Sequence, residues 1–382
     1  MKKYSLAIMT LLVLGVCLLC IFPSAKLDYF GSKDLLMRWC LLLFSGVFLF
    51  KDKWLKAYFV WLMICLVTQD SIQSGNRMYV LFFLILFFQI LSEKLDSANI
   101  KLILNGVAVI ALIHVSFVIM QKFGIKQNFY EIAPKYASSQ FAGVASDTNT
   151  GGSLIALCSV VFLPLKGFRS KWWMLGLIPM AYGLFLCESL GASIATCVGL
   201  SLFVSYELNS ITLKVLLIIL ALTLLSFYIV KKEPHRLKGN LGVRPRNCKR
   251  VWTQINHKTW GNPLKGYGLG SFRYIWRTME EKIYKNDTGK CIGRVHNDPI
   301  EVAFNQGIIG LLLLLGVLFS NIIKFIKIKP MPCLGLLGFI GITIAVTNSL
   351  GHFLMLTPAV LLAIFYMAIM VNQTKGIKDA RS

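Results

Sequence analysis

Arg294-Val-His-Asn-Asp-Pro-Ile-Glu-Val-Ala-Phe-Asn-Gln-Gly-Ile-Ile-Gly310 runs straight into Leu311–Phe319, which is almost wholly apolar. One histidine, two acids and an arginine therefore stand at the mouth of a long apolar segment. A membrane helix is expected to begin where this polar cluster ends. Titratable groups are costly to keep at a bilayer surface, so such a cluster is a functional-site candidate by default.

The rest of the chain supports a membrane reading. It has 382 residues, 56% of them hydrophobic, and a mean hydropathy of +0.66. Soluble domains are far less apolar than this. A span needs about 20 apolar residues. The hydropathy pattern predicts an all-α polytopic protein with about twelve spans, near 5–23, 35–50, 54–68, 78–92, 99–120, 149–165, 172–187, 190–206, 211–230, 299–323, 333–349 and 354–371. Three regions follow: 1–230 with nine spans, a polar basic loop over 231–298, and 299–382 with the last three spans and a tail. The seventh and eighth spans meet at a tight polar break, Cys187-Glu-Ser-Leu-Gly191.

Short loops carry the orientation signal. Lys2, Lys3, Lys51, Lys53, Lys56, Lys94, Lys101, Lys166, Arg169, Lys171, Lys324, Lys327 and Lys329 fall on one side of the predicted bundle. That side is expected to be cytoplasmic, with both termini inside. Residues 1–25 resemble a secretory signal, but Pro23 fits its cleavage pattern poorly. A retained first span is expected.

The 231–298 loop then faces outward. It holds sixteen Lys or Arg against five acids, a net +11 of the chain's +23. Long loops can be translocated despite their charge. Such a loop could simply attract anionic lipid headgroups, or it could grip a diphosphate or other polyanion through arginine forks. Val243-Arg-Pro-Arg-Asn-Cys-Lys-Arg250 packs four bases into eight residues. Nucleic acid is not expected on that side of the membrane. Gly261-Asn-Pro-Leu-Lys-Gly-Tyr-Gly-Leu-Gly-Ser-Phe272 follows; its glycines suit tight turns and close backbone approach. It lacks the Gly-Lys-Ser/Thr ending of a nucleotide-binding phosphate loop.

Pro263, Gly266, Gly268, Gly270 and Phe272 form a P-x-x-G-x-G-x-G-x-F pattern, and His296-Asn297-Asp298 follows with Glu301, Gly307 and Gly310. This pair of motifs, between a late basic loop and a span, resembles the O-antigen ligase and polymerase superfamily. Gly143-Val-Ala-Ser-Asp-Thr-Asn-Thr-Gly151 and the run from Ser349-Leu350 to Pro358 agree with it more weakly. The resemblance implies metal-independent, inverting glycosyl transfer at the periplasmic face of a bacterial inner membrane, with no cofactor. The donor would be a glycan on undecaprenyl diphosphate. The acceptor would be a hydroxyl of lipid A–core (a ligase), of another lipid-linked repeat (a polymerase), or of a protein (an O-oligosaccharyltransferase).

The residues suit that chemistry. A sugar hydroxyl is a weak nucleophile, and a neutral histidine such as His296 is a fitting general base near pH 7. Asp298 and Glu301 are placed to orient it or to stabilise its cation. Arg244, Arg246, Arg250 or Arg294 could stabilise charge on a leaving diphosphate. The structural alternative makes Asn297 or Asp298 a helix cap with Pro299 at the first helical position; both readings can hold together. The chain departs from the family at Ser189-Leu190-Gly191-Ala192, where the family usually has arginine in place of Leu190. Another base must then supply the charge, or the activity is altered.

Other groups are less informative. His114 is expected to be packed and hydrogen-bonded within the fifth span; His352 could line the site. No set of residues shows metal-ligand spacing. Cys248 and Cys291 both lie in the outer loop, where a disulfide could form in an oxidising compartment. A small-anion transporter is the reading from another class. It would want ionisable residues deep in the spans, and few are seen beyond His114 and Glu188.

Overall fold

The computed structural model describes residues 52–67, 72–124, 143, 148–164, 171–207, 248–249, 251–252, 263–268, 272, 297–329, 331–350 and 359–379. Among these, regular structure is helical, with no strand. The longer helices are α1 (Lys53–Val67), α2 (Ile72–Lys94), α3 (Ser97–Lys122), α4 (Thr148–Ser159), α5 (Leu177–Cys187), α6 (Leu190–Glu207), α7 (Asp298–Ile326), α8 (Cys333–Ser349) and α9 (Ala359–Asp379). Short 3-10 turns extend α4 over Val160–Phe162 and precede α5 over Lys171–Gly176.

Local chemistry sets several boundaries. Asp52 accepts from the amides of Trp54 (2.9 Å) and Leu55 (3.1 Å) and so opens α1. Asp96 accepts from Asn99 N at 2.6 Å and opens α3. Each bond satisfies an amide that the first turn would otherwise leave open. Between α5 and α6 the backbone reverses through Glu188 in the left-handed region (φ 55°), whose N–H donates to the Leu184 carbonyl.

Ser97–Lys122, Asp298–Ile326 and Ala359–Gly376 are long and apolar enough to cross a membrane. Thr148–Phe162, Trp172–Cys187, Leu190–Tyr206 and Cys333–Ser349 are shorter and apolar. Leu102 is 70% exposed on α3, and Val109 and Ile110 beside it are each 57% exposed. Apolar side chains turned outward along one helix face suit a lipid solvent and not an aqueous one. The interior is packed closely: α8 lies against α9 and α6, α7 against α1, and α2 against α9. The buried Tyr366 donates across the bundle to the Leu157 carbonyl at 2.8 Å.

The two ends of the bundle differ. At one end Lys324 pairs with Asp52 at 3.0 Å, and Tyr206 donates to the Met331 carbonyl at 3.3 Å. The start of α1 and the end of α7 therefore share a side, as the lysine distribution predicts. At the other end the start of α7 meets the end of α8. The predicted spans near 5–23, 35–50 and 211–230 lie outside the described residues. The described helix of the last span ends at Asp379, later than hydropathy predicts, because its final turns are polar yet helical.

Candidate active site

Asn297 begins the site. Its Oδ1 accepts from Ile300 N at 3.0 Å, capping α7. Its Nδ2 donates to the Leu350 carbonyl at 2.9 Å, pinning the end of α8. With Asn297 as the cap, Asp298 is the first helical residue and Pro299 the second, one place later than expected. Asp298 and Glu301 occupy the first turn, where the positive end of the helix dipole favours carboxylates. Asp298 is buried, and with Pro299 and Ser349 it closes one end of an apolar cavity of about 250 Å³ that continues past Val302, Tyr58 and Leu314.

α7 is broken inside. Gly307 has φ 71° and ψ 178°, a conformation open essentially to glycine alone. The glycine-rich segment lies against the break. Ile308 N donates to the Pro263 carbonyl at 3.0 Å and Ile309 N to the Leu264 carbonyl at 3.4 Å. In return Tyr267 N donates to the Phe304 carbonyl and Gly268 N to the Asn305 carbonyl, each at 2.9 Å. The motif thus takes up peptide groups that the break frees from intrahelical pairing. Gly266 (φ 78°) and Gly307 face each other so closely that a Cβ on Gly266 would lie 2.8 Å from Asn305 C and overlap Gly307 N.

Side chains lock this clasp. Phe304 stacks on Tyr267 (4.5 Å between centroids) and meets Phe272 edge-on (5.0 Å). Val251, Phe272, Ala303 and Phe304 form a small buried cluster with Cys248 and Ile300 packed on it. Phe272 N donates to Asn305 Oδ1 at 3.2 Å. From α1, Trp61 Nε1 donates to the Gln306 carbonyl at 2.9 Å, and the Cys65 thiol reaches the Lys265 carbonyl at 3.8 Å. Burial pushes the Tyr267 hydroxyl up to about 12, so it stays protonated at neutral pH.

A second polar group lies at the α5–α6 break. Asn348 Nδ2 donates to Ser153 Oγ at 2.7 Å, and Ser153 Oγ donates to the Asn149 carbonyl at 2.7 Å. Ser189 Oγ is 3.4 Å from Asn149 Oδ1. Leu190 begins α6 here and adds no charge to this group, while Glu188 caps the end of α5 at the break itself. His114 is buried, with Nε2 3.3 Å from the Gly151 carbonyl, as a packed hydrogen-bonded histidine should be.

The structure places Gly266 and Gly268 against Asn305–Gly307 of α7, while Asn297, Asp298 and Glu301 stand at the start of the same helix. His296, Arg244, Arg246, Arg250, Arg294, Gly270, Cys291 and His352 lie outside the described residues. Cys248 is half-buried beside the Val251 cluster. Among the described residues no three His, Cys, Asp or Glu side chains converge as metal donors. Sequence reasoning missed that Asn305 and Trp61 belong to this unit; the one available signal was the polar Asn305-Gln306 pair inside an apolar run.

Residues 175–315 match the family described as O-Antigen ligase. The chain is 28% identical over 160 residues to a candidate polysaccharide ligase of Rickettsia typhi, covering 40% of each chain. It is 26% identical over 185 residues to a candidate polysaccharide ligase of Rickettsia felis, covering 46% of this chain and 45% of that one. A third, from Rickettsia conorii, is 27% identical over 176 residues, covering 44% of this chain and 43% of the relative. The chain spans under half the length of these curated relatives. The matched region contains both the α5–α6 break and the first half of α7 with its cap and clasp, and these matches support an O-antigen ligase-like family for the chain.

Proposed function

We propose that the chain is a multi-pass glycosyltransferase of the bacterial inner membrane. It moves a glycan from undecaprenyl diphosphate to a hydroxyl of lipid A–core at the periplasmic face. The observation that carries this reading is the clasp: a glycine-rich motif bonded to the broken α7, within the region matching the O-antigen ligase family. The arrangement proposed has about twelve spans, with the 231–298 loop outside and before the tenth. Cys248 and Cys291 would tie the ends of that loop; equal thiol labelling with and without reductant would rule this out.

In the proposed transfer, His296 removes the proton from the acceptor hydroxyl. The oxygen attacks the anomeric carbon on the face opposite the diphosphate, so configuration inverts. The bond from that carbon to the diphosphate oxygen breaks, and its electron pair leaves with the diphosphate. Arg244, Arg246, Arg250 and Arg294 are the candidates to bear the growing negative charge, so the step needs no metal. Asp298, fixed beside the Asn297 cap, is the partner that would orient the imidazole. Leu190 itself brings no cation to the α5–α6 break, so the charge-bearing task is assigned to the outer-loop bases.

The test is a lipopolysaccharide gel of the native host, comparing wild type, a deletion and His296→Ala. Loss of long chains with polymer left on the carrier means a ligase. Retention of core plus one repeat means a polymerase. An unchanged pattern in His296→Ala beside a changed one in the deletion overturns the assignment of the base. No change in either moves the search to protein glycans.

A further inference from the structure

The end of the bundle away from the clasp gathers charge from two distant stretches of chain. Lys53 and Lys56 stand in the first turn of α1, and Lys324, Lys327 and Lys329 at and just beyond the end of α7. The Asp52–Lys324 pair at 3.0 Å holds the two stretches together. Asp52 is the one acid in residues 52–56 and 321–329, so five lysines leave a net +4 there. Its oxygens are already engaged, Oδ2 by Lys324 and Oδ1 by the Trp54 and Leu55 amides. Lys53 and Lys327 are exposed, and Lys56 is half-buried.

Helix stability explains only part of this pattern. The negative end of a helix dipole favours Lys324 and Lys327 at the close of α7. The positive end disfavours Lys53 and Lys56 at the start of α1, whose first turn holds no acid. Cations kept against the preference of their own helix, beside other cations, point to an anion from outside. The neighbouring surface says which kind. Leu312, Phe319, Ile323 and Ile326 are exposed on α7 and share a face within about 60° at helical spacing, with Lys327 about 40° further round. Trp54 of α1 lies over Gly316 beside that face, so closely that a Cβ there would overlap the ring. The apolar stripe from Leu312 to Ile326 runs about 21 Å by helical rise, more than the roughly 15 Å half-thickness of a hydrocarbon core. A soluble anion gains nothing from such a stripe. A lipid with an anionic headgroup uses both the stripe and the lysines.

We propose that the seam between the start of α1 and the end of α7 seats one anionic phospholipid, its phosphate on Lys53, Lys56 and Lys327 and a chain along Phe319 and Ile323. The lipid bridges α1 and α7 at this end. At the other end the same two helices meet through Trp61 and the Gln306 carbonyl, so the lipid braces the helix pair on which the clasp is built. The inference stands apart from the transfer reading above.

The experiment reconstitutes the full chain in vesicles of phosphatidylcholine with phosphatidylglycerol as the minor component. Lipid retained per protein after a detergent wash is counted by mass spectrometry. Wild type should hold phosphatidylglycerol well above its share of the bilayer. Lys53→Gln with Lys327→Gln, which leaves the Asp52–Lys324 pair intact, should lower that retention about tenfold without changing phosphatidylcholine. Lys53→Arg with Lys327→Arg should keep it. Lys94→Gln with Lys101→Gln removes two exposed charges between α2 and α3 and should also keep it. Equal losses in the two Gln pairs would make the attraction diffuse and overturn the proposal. Loss in the Arg pair, or no preference in wild type, overturns it as well. Displacement of the lipid by soluble glycerol 3-phosphate would reduce the seam to an anion site and refute the lipid as its occupant.

Discussion

Gly307→Ala is the sharpest perturbation of the clasp. Gly307 has φ 71° and ψ 178°, and holding alanine in that region costs about 1–3 kcal/mol. The added methyl would also sit on the Leu264 carbonyl, with Lys265 N 2.6 Å away. Both neighbours are main chain, so neither can swing aside. Relief requires residues 263–265 to back away, which takes the Pro263 and Leu264 carbonyls from Ile308 and Ile309. Each buried amide left without an acceptor costs about 1–3 kcal/mol. A total of about 3–9 kcal/mol follows from these two effects. Gly106→Ala is the control: it lies within α3 with nothing within 4 Å of a new Cβ, so about 0.5–1 kcal/mol of stabilisation is expected. Both are measured by reversible unfolding of the purified protein in mixed micelles, with amide exchange at Ile308 and Ile309 as a local reporter. A Gly307→Ala protein as stable as wild type, with both amides still protected, would refute the steric reasoning.

Three further outcomes are expected. Asn297→Ala removes the α7 cap and the tie to Leu350 and should cost about 1–2 kcal/mol in the same unfolding assay; Asn297→Asp should recover the cap part, since its oxygen still accepts. Asn348→Ala combined with Ser153→Ala should show a coupling energy of about 0.5–1.5 kcal/mol in a double-mutant cycle, because the two share a buried 2.7 Å bond; additive effects would remove the bond from the account of the fold. For Asp52, burial raises the carboxyl's affinity for a proton, but the Lys324 hydrogen bond and charge, with two backbone amides, outweigh it and hold it below its ordinary 3.8. A depressed carboxyl stabilises the fold above its unfolded value and loses that contribution as pH falls through the folded one. Asp52→Asn should therefore flatten the stability profile below about pH 4 while costing less than about 1 kcal/mol at neutral pH, since the pair is partly exposed.

Much of the helical framework was legible because apolar runs of span length leave few alternatives. The run read as 333–349 is the helix Cys333–Ser349, and 190–206 differs from Leu190–Glu207 by one residue. The polar break at Cys187–Gly191 and the packed state of His114 were also readable, the first from composition and the second from its apolar surroundings. The clasp was only half legible. Three glycines in five residues announce close backbone approach, but nothing local says what approaches. The partner is a helix break some 40 residues onward, and its signal is a single glycine inside a pattern that hydropathy reads as continuous helix. Asn297 and Asp298 were equally good caps by residue type; the Leu350 carbonyl, distant in sequence, favours the asparagine because only an amide can donate to it.

The break also resolves a conflict of length. At 29 residues α7 would be about 43 Å long if straight, well beyond the roughly 30 Å of a hydrocarbon core. Its first turn carries Asp298 and Glu301, which would be expensive at depth. Division at Gly307 gives two unequal pieces. The stretch after it, residues 308–326, is about 28 Å long by helical rise, and it is apolar until Ser320, Asn321 and Lys324 near its end. That piece alone matches the hydrocarbon thickness. The stretch before it, 298–306, then stands at the boundary, where carboxylates remain hydrated or paired and where a lipid-borne headgroup would sit. A helix interrupted at that level exposes peptide groups that a bilayer cannot satisfy. The main chain of residues 263–268 takes that place from one side and Trp61 from the other. On this argument the glycine motif is the part that permits α7 to change from a spanning helix to a surface one, and the acids stand where they do because it is there.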